Sequence, residues 1–127
     1  MDKKCVLIVD DDPLIARMYE NKMRLDGYDV DVAFNGEEAI SSVRKKTPNL
    51  ILLDIMMPKL NGVETLKLLK VEEKTKHIPV IILTNLGDNQ SDIERSREMG
   101  ALDYLVKSQI SLKDLSLCVK KALDAGT

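Results

Sequence analysis

Five short apolar runs alternate with five stretches of helical spacing along this chain, and that alternation leaves few folds open to it. The runs are Cys5 to Val9, Asp29 to Ala33, Leu50 to Leu53, Val80 to Leu83 and Asp103 to Val106. Strands separated by helices pair in parallel and are joined by right-handed crossovers. Runs one, three and four are apolar throughout, as strands covered on both faces must be. Run two alternates Asp29, Val30, Asp31 and Val32, so one of its faces is wet and it belongs at an edge. Run five is short and carries Tyr104, which suits the opposite edge.

The intervening stretches carry start and stop signals. Asp12 can cap a helix whose first position is Pro13, with Leu14, Ile15, Met18 and Leu25 expected to face inward and Gly27 to end it. Asn35 with Glu38 reads as a capping box for a helix carrying Ala39, Ile40 and Val43. Val63, Leu66 and Leu69 mark a third helix, and Ser91 with Glu94 opens a fourth that Gly100 closes. Ser111 opens the last, where Leu112, Leu115, Val119, Ala122 and Leu123 form an apolar stripe. These placements predict a flavodoxin-like, doubly wound (βα)5 parallel sheet with strand order 2-1-3-4-5.

At 127 residues the chain fits one domain, and the last helix ends just before Ala125-Gly126-Thr127, so one domain over 1–127 with no output domain is expected. The net charge is −2 with both signs interspersed, which argues against a direct nucleic-acid surface. The basic clusters Arg44-Lys45-Lys46 and Lys74, Lys76 read as solvated helix ends and loops. No apolar run approaches the ~18 residues of a spanning helix, so no membrane contact and a cytoplasmic location are expected. Cys5 and Cys118 are isolated and read as small hydrophobes; His77, the one histidine, cannot build a typical zinc site and reads as solvated.

The acids carry the chemistry. Asp10, Asp11 and Asp12 follow the first run directly, and Asp54 follows the third. In the predicted order the sheet reverses between strands one and three, so Asp10, Asp11 and Asp54 share the crevice at the strands' carboxyl ends. Asp12 is the acid with a sufficient structural role, as the cap before Pro13. Two like charges ~4 Å apart cost on the order of 4 kcal/mol at an effective dielectric near 20, and a divalent cation is the simplest remedy. An all-oxygen donor set selects a hard ion, magnesium first and manganese as an alternative. A carboxylate can itself be a nucleophile and form an aspartyl phosphate. Lys107, ending the fifth run, could neutralise phosphoryl charge, and the hydroxyl of Thr84, ending the fourth, could bond a further oxygen.

The motifs LIVDDDP, LLDIMMPKLNG, ILTN and DYLVK resemble, in order and spacing, those of the receiver domain of two-component response regulators, here of the stand-alone, single-domain type. The resemblance covers nearly the whole chain. It implies that Asp54 accepts a phosphoryl group from a histidine kinase or phosphotransfer protein. It implies that Asp11 is a direct magnesium ligand, that Asp10 acts mostly through water, and that the backbone carbonyl of Met56 is a further ligand. Thr84 and Lys107 resemble the switch threonine and the phosphate-binding lysine, and Tyr104 the aromatic residue that turns inward when the threonine moves. Met56 and Leu86 occupy the positions that tune hydrolysis; both are apolar and unable to orient water, so a long-lived acyl phosphate is expected. Two departures stand out. Ser108 replaces the usual proline after the lysine, so a trans bond or a mixture is expected there, and Asn85 replaces the usual small residue after the threonine.

The fourth helix has only Ile93 and Met99 as strong apolar anchors, so it is expected to move at low cost. The implied output is a helix-four, strand-five, helix-five surface altered by phosphorylation. It would bind a downstream protein or a second copy, making the chain a monomer or a phosphorylation-dependent homodimer. Catalysis would be limited to self-phosphorylation and self-dephosphorylation. The alternative function is a phosphate sink or scaffold. A magnesium-dependent hydrolase is disfavoured because no second acid lies two residues after Asp54.

Overall fold

The computed structural model of the chain describes residues 3–57, 60–85 and 90–125. In chain order the elements are β1 (Cys5–Val9), α1 (Pro13–Leu25), β2 (Asp29–Ala33), α2 (Gly36–Lys45), β3 (Leu50–Asp54) and α3 (Gly62–Val71). There follow β4 (Val80–Thr84), α4 (Gln90–Glu98), β5 (Asp103–Val106), a 3-10 turn (Lys107–Gln109) and α5 (Leu112–Ala125). All strand pairs are parallel, in the expected order β2-β1-β3-β4-β5.

Strand side chains alternate between two cores because the pleat has a period of two. Leu7, Val9, Ile51, Leu53, Val80 and Ile82 point to one face, against Ala39, Val43, Val63, Leu66, Leu69 and Ile93 of α2, α3 and α4. Val6, Ile8, Leu50, Leu52, Ile81 and Leu83 point to the other, against α1 and α5. β1, β3 and β4 are buried along their whole length, whereas β2 and β5 are partly open, which is why only the outer two tolerate Asp and Tyr in mid-strand. β3 and β4 each run one residue past the apolar stretch, to Asp54 and Thr84. Ladder pairing continues there as Asp54↔Leu83 and Thr84↔Val106, since a polar side chain does not end backbone pairing.

The inward face of α1 is not the expected one. Ala16, Tyr19 and Met23 are buried, while Leu14, Met18 and Leu25 are 80%, 43% and 82% exposed and Ile15 is half-buried. Two apolar stripes compete on this helix. The sheet takes the one whose small Ala16 permits close approach and whose Tyr19 and Met23 fill the space around it. The cap is as expected: the Asp12 carboxylate accepts from the Leu14 and Ile15 N–H groups.

The α2 box forms with a shift. Asn35 accepts from the Glu38 N–H, but the Glu38 carboxylate accepts from Phe34 N–H, one residue before the cap. Ser91 is not the opener of α4, because the helix already includes Gln90. Gly100 does close it, at φ +101, where its N–H and that of Ala101 donate to the carbonyls of Arg97 and Ser96. Ser111 and Asp114 cap α5 reciprocally, and Leu115, Val119, Ala122 and Leu123 are buried as expected. The described peptide bonds are all trans, Lys107–Ser108 among them.

α3 starts close over the end of β3. Asn61 and Glu64 form a full capping box, and the Gly62 N–H donates to the Ile55 carbonyl at 2.9 Å. A Cβ on Gly62 would collide with the Asp54 carbonyl oxygen and lie 2.6 Å from Ile55 Cα, both rigid backbone. Gly62→Ala is therefore expected to lower stability by about 1–3 kcal/mol and to displace Asp54. Urea unfolding measures the first effect; wild-type stability in the variant would show that the backbone there yields freely.

Candidate functional site

Three side chains reach one point because three strand ends do, and a fourth strand ends between them. Asp10 follows β1, Asp54 ends β3, Thr84 ends β4 and Lys107 follows β5. The register Val9↔Leu53 sets Asp10 and Asp54 side by side on adjacent strands. Asp10 and Asp54 are fully buried, and the Lys107 side chain is nearly so.

Lys107 Nζ donates to Asp10 Oδ2 at 2.8 Å and lies 3.2 Å from Asp54 Oδ2. The remaining oxygens are held by backbone: Asp10 Oδ1 accepts from Asp12 N–H at 3.0 Å, and Asp54 Oδ1 from Met56 N–H at 3.4 Å. Asp54's pKa is pushed up to about 7. Burial is the main cause, opposed by the Lys107 charge and reinforced by Asp10 and Asp11. Burial also disfavours the Lys107 cation, but its hydrogen bond to Asp10 and the charges of Asp54 and Asp10 outweigh that, and its pKa lies above the ordinary lysine value.

Asp11 is exposed, yet one oxygen each from Asp10, Asp11 and Asp54 lies within 4.8 Å of the others. With all four groups ionised, three carboxylates and one ammonium leave two uncancelled negative charges, and every free donor is oxygen. That set fits a hard divalent cation and does not fit a soft one. Thr84 Oγ1 is buried and has no hydrogen-bond partner, the one such side-chain atom among the described residues. A buried hydroxyl left unpaired costs about 1–3 kcal/mol, which asks for a reason.

The model of the response regulator receiver domain matches residues 6–120. The chain belongs to the receiver domain family. The ycf27 protein of Porphyridium aerugineum, a probable transcriptional regulator, is 41% identical over 123 residues, covering 97% of this chain and 49% of that protein. RpaA of Synechocystis, described as a DNA-binding dual master transcriptional regulator, is 39% identical over 102 residues, 80% of this chain and 42% of its own. The Francisella response regulator 1452 receiver domain superposes with a TM-score of 0.86 at 33% identity, over 98% of this chain and all of its own. The receiver domain thus spans about half the length of the curated relatives it matches. Among the described residues no helix is long and apolar enough to cross a membrane.

Asp10, Asp11, Asp54 and Lys107 come together in this receiver domain, with Thr84 one residue past the register partner of Asp54. Tyr104 does not join them: it is half-buried on β5 and packs on the core shared with α4. The Met56 side chain is exposed, consistent with a role confined to its backbone. Leu86 lies outside the described residues. Two residues of consequence escaped sequence reasoning. Gly62 had only its place after Asn61 as a signal; Arg97, whose guanidinium carbon sits 3.9 Å from the Tyr104 ring centroid, had none.

The raised pKa of Asp54 has a signed consequence for stability. An acid whose folded pKa (about 7) exceeds its ordinary value (3.8) binds more protons folded than unfolded between those pH values. Its ionisation costs stability that is absent below pH ~4 and fully felt above ~7. In metal-free protein, Asp54→Asn should gain on the order of 2 kcal/mol at pH 8 and nothing at pH 4. Denaturant melts in chelator at the two pH values measure this; equal gains at both would remove the buried-charge account.

Proposed function

We propose that Asp54 is the phosphoacceptor of this receiver domain, charged by a histidine kinase or an intermediate phosphotransfer protein. One observation carries the reading: a buried carboxylate at a strand end lies beside a lysine ammonium and a second buried acid, with an orphaned hydroxyl at the end of the adjacent strand. An Asp54 oxygen attacks the phosphorus of the donor's phosphohistidine. The phosphorus–oxygen bond forms as the phosphorus–nitrogen bond breaks, and the electron pair leaves with the imidazole nitrogen.

Asp10, Asp11, Asp54 and the Met56 carbonyl would hold magnesium, or manganese in its place; when bound, the ion supplies positive charge against the phosphoryl oxygens. Lys107, held by Asp10, stands ready for another phosphoryl oxygen, so it need not be reoriented during transfer. Thr84 donates its hydroxyl to a third, which explains why it is tolerated unpaired beforehand.

The signal passes outward through α4, whose buried residues are only Ile93 and Ser96. Few buried contacts place this helix at the low-stability end of the structure. Thr84 moving toward phosphate leaves space that Tyr104 enters, and the α4-β5-α5 face changes for a downstream protein or a second copy. Met56 and Leu86 offer no group to orient water for hydrolysis, which favours a long-lived acyl phosphate.

Intact-mass analysis after acetyl phosphate and magnesium should show one added phosphoryl group, none with chelator and none in Asp54→Asn. Lys107→Ala should slow labelling by about 10²-fold or more. Labelling of Asp54→Asn at the wild-type rate would eliminate Asp54 as acceptor. Thr84→Val, nearly isosteric, should be as stable as wild type or more so by about 1 kcal/mol, since it deletes an unpaired hydroxyl. It should still accept phosphate while losing the phosphate-dependent rise in α4 hydrogen exchange; a retained rise would acquit Thr84 of switching.

A further inference from the structure

We propose that Arg97 is a positioning residue that holds Tyr104 in the half-buried place it takes here and so opposes the switch until phosphate arrives. This rests on the reading of Tyr104 and Thr84 given above. Tyr104 is held from two sides. One side of the residue packs on the core shared with α2, α3 and α4. Over the ring face lies the Arg97 guanidinium, its central carbon 3.9 Å from the ring centroid. Arg97 is in the last turn of α4, fixed relative to β5 by the Gly100–Ala101 turn that closes the helix. Among the described residues the guanidinium makes no ion pair, so the ring is its main partner.

The stack is a state-specific contact. Tyr104 pairs with Ile82 on β4, two residues before Thr84, and in the switch read above it moves toward the space that Thr84 leaves. A ring that moves inward leaves the guanidinium behind, because Arg97 is exposed and cannot follow it into an apolar core as an unpaired cation. The contact therefore stabilises only the arrangement in which the ring lies under Arg97, and a contact made in one state shifts the equilibrium against the other. An exposed cation–π pair of ~0.5–1 kcal/mol corresponds to a roughly two- to five-fold shift. Planarity matters here: a lysine keeps the charge but not the stacked face.

The test is calorimetric titration of the 127-residue chain with fluoroberyllate, a phosphoryl mimic, in saturating magnesium. Arg97→Ala should bind about two- to five-fold more tightly than wild type, and Arg97→Lys should fall between them. Simple electrostatics predicts the opposite sign, since deleting a cation weakens binding of an anion. In a Tyr104→Ala background the Arg97→Ala effect should vanish; should that variant fail to fold, Tyr104→Leu takes its place. The Tyr104 ring resonances of unliganded Arg97→Ala should also lie part-way toward their fluoroberyllate-bound positions. Unchanged or weaker binding by Arg97→Ala, with Tyr104→Ala still altering affinity, overturns the lock and leaves the tyrosine reading standing. An Arg97→Ala gain that persists without the ring also overturns it. If neither variant alters affinity, the switching role of Tyr104 fails and the lock with it.

Discussion

One ammonium group shared between two buried carboxylates organises this receiver domain. Lys107 Nζ reaches Asp10 at 2.8 Å and Asp54 at 3.2 Å, joining the ends of β1, β3 and β5 across the middle of the sheet. Leaving either charge buried without a partner would cost several kcal/mol. Yet one lysine cannot balance three acids, and Asp11 completes a cluster that remains negative. The site is thus under-neutralised by construction. It is suited to a hard cation.

That incompleteness is a stability cost the rest of the fold offsets. The raised pKa of Asp54 and the orphaned Thr84 hydroxyl both disfavour the unliganded folded state. The offset comes from two dry cores on opposite faces of the sheet, in which β1, β3 and β4 are buried throughout. Gly62 is part of the same arrangement, since only a residue without Cβ lets the start of α3 cross the Asp54–Ile55 backbone. Close backbone packing is concentrated under Asp54. α4 is the least anchored helix by burial, with a Ser96 rather than a large apolar residue at its second buried position.

Much of this was legible in the chain. Strand burial on both faces writes itself as uninterrupted apolar residues, so the division into central and edge strands was readable from composition, and the order 2-1-3-4-5 fits that division. Helix caps are local hydrogen bonds and were mostly readable, as at Asp12 and Ser111. The choice of face on α1 was not. Leu14, Met18 and Leu25 look like a core stripe on hydrophobicity, but the sheet selected Ala16, Tyr19 and Met23 on shape. Hydrophobicity is a property of residues, whereas fit is a property of two surfaces, and only one of those surfaces is in the helix sequence.

The same division runs through the site. The residues themselves determined which groups could do chemistry: acids and a lysine placed at the ends of buried runs have no inexpensive bland role, so their convergence was forced by topology. What folding alone decided was how their charges are shared. Lys107 bonds Asp10 more closely than Asp54, Asp11 stays at the rim, and Thr84 is left without a partner. It also decided that Arg97 lies over Tyr104, seven positions away across a glycine turn. Distances of an ångström set these outcomes, and they depend on how helices seat on the sheet, a many-body packing result that no linear spacing encodes.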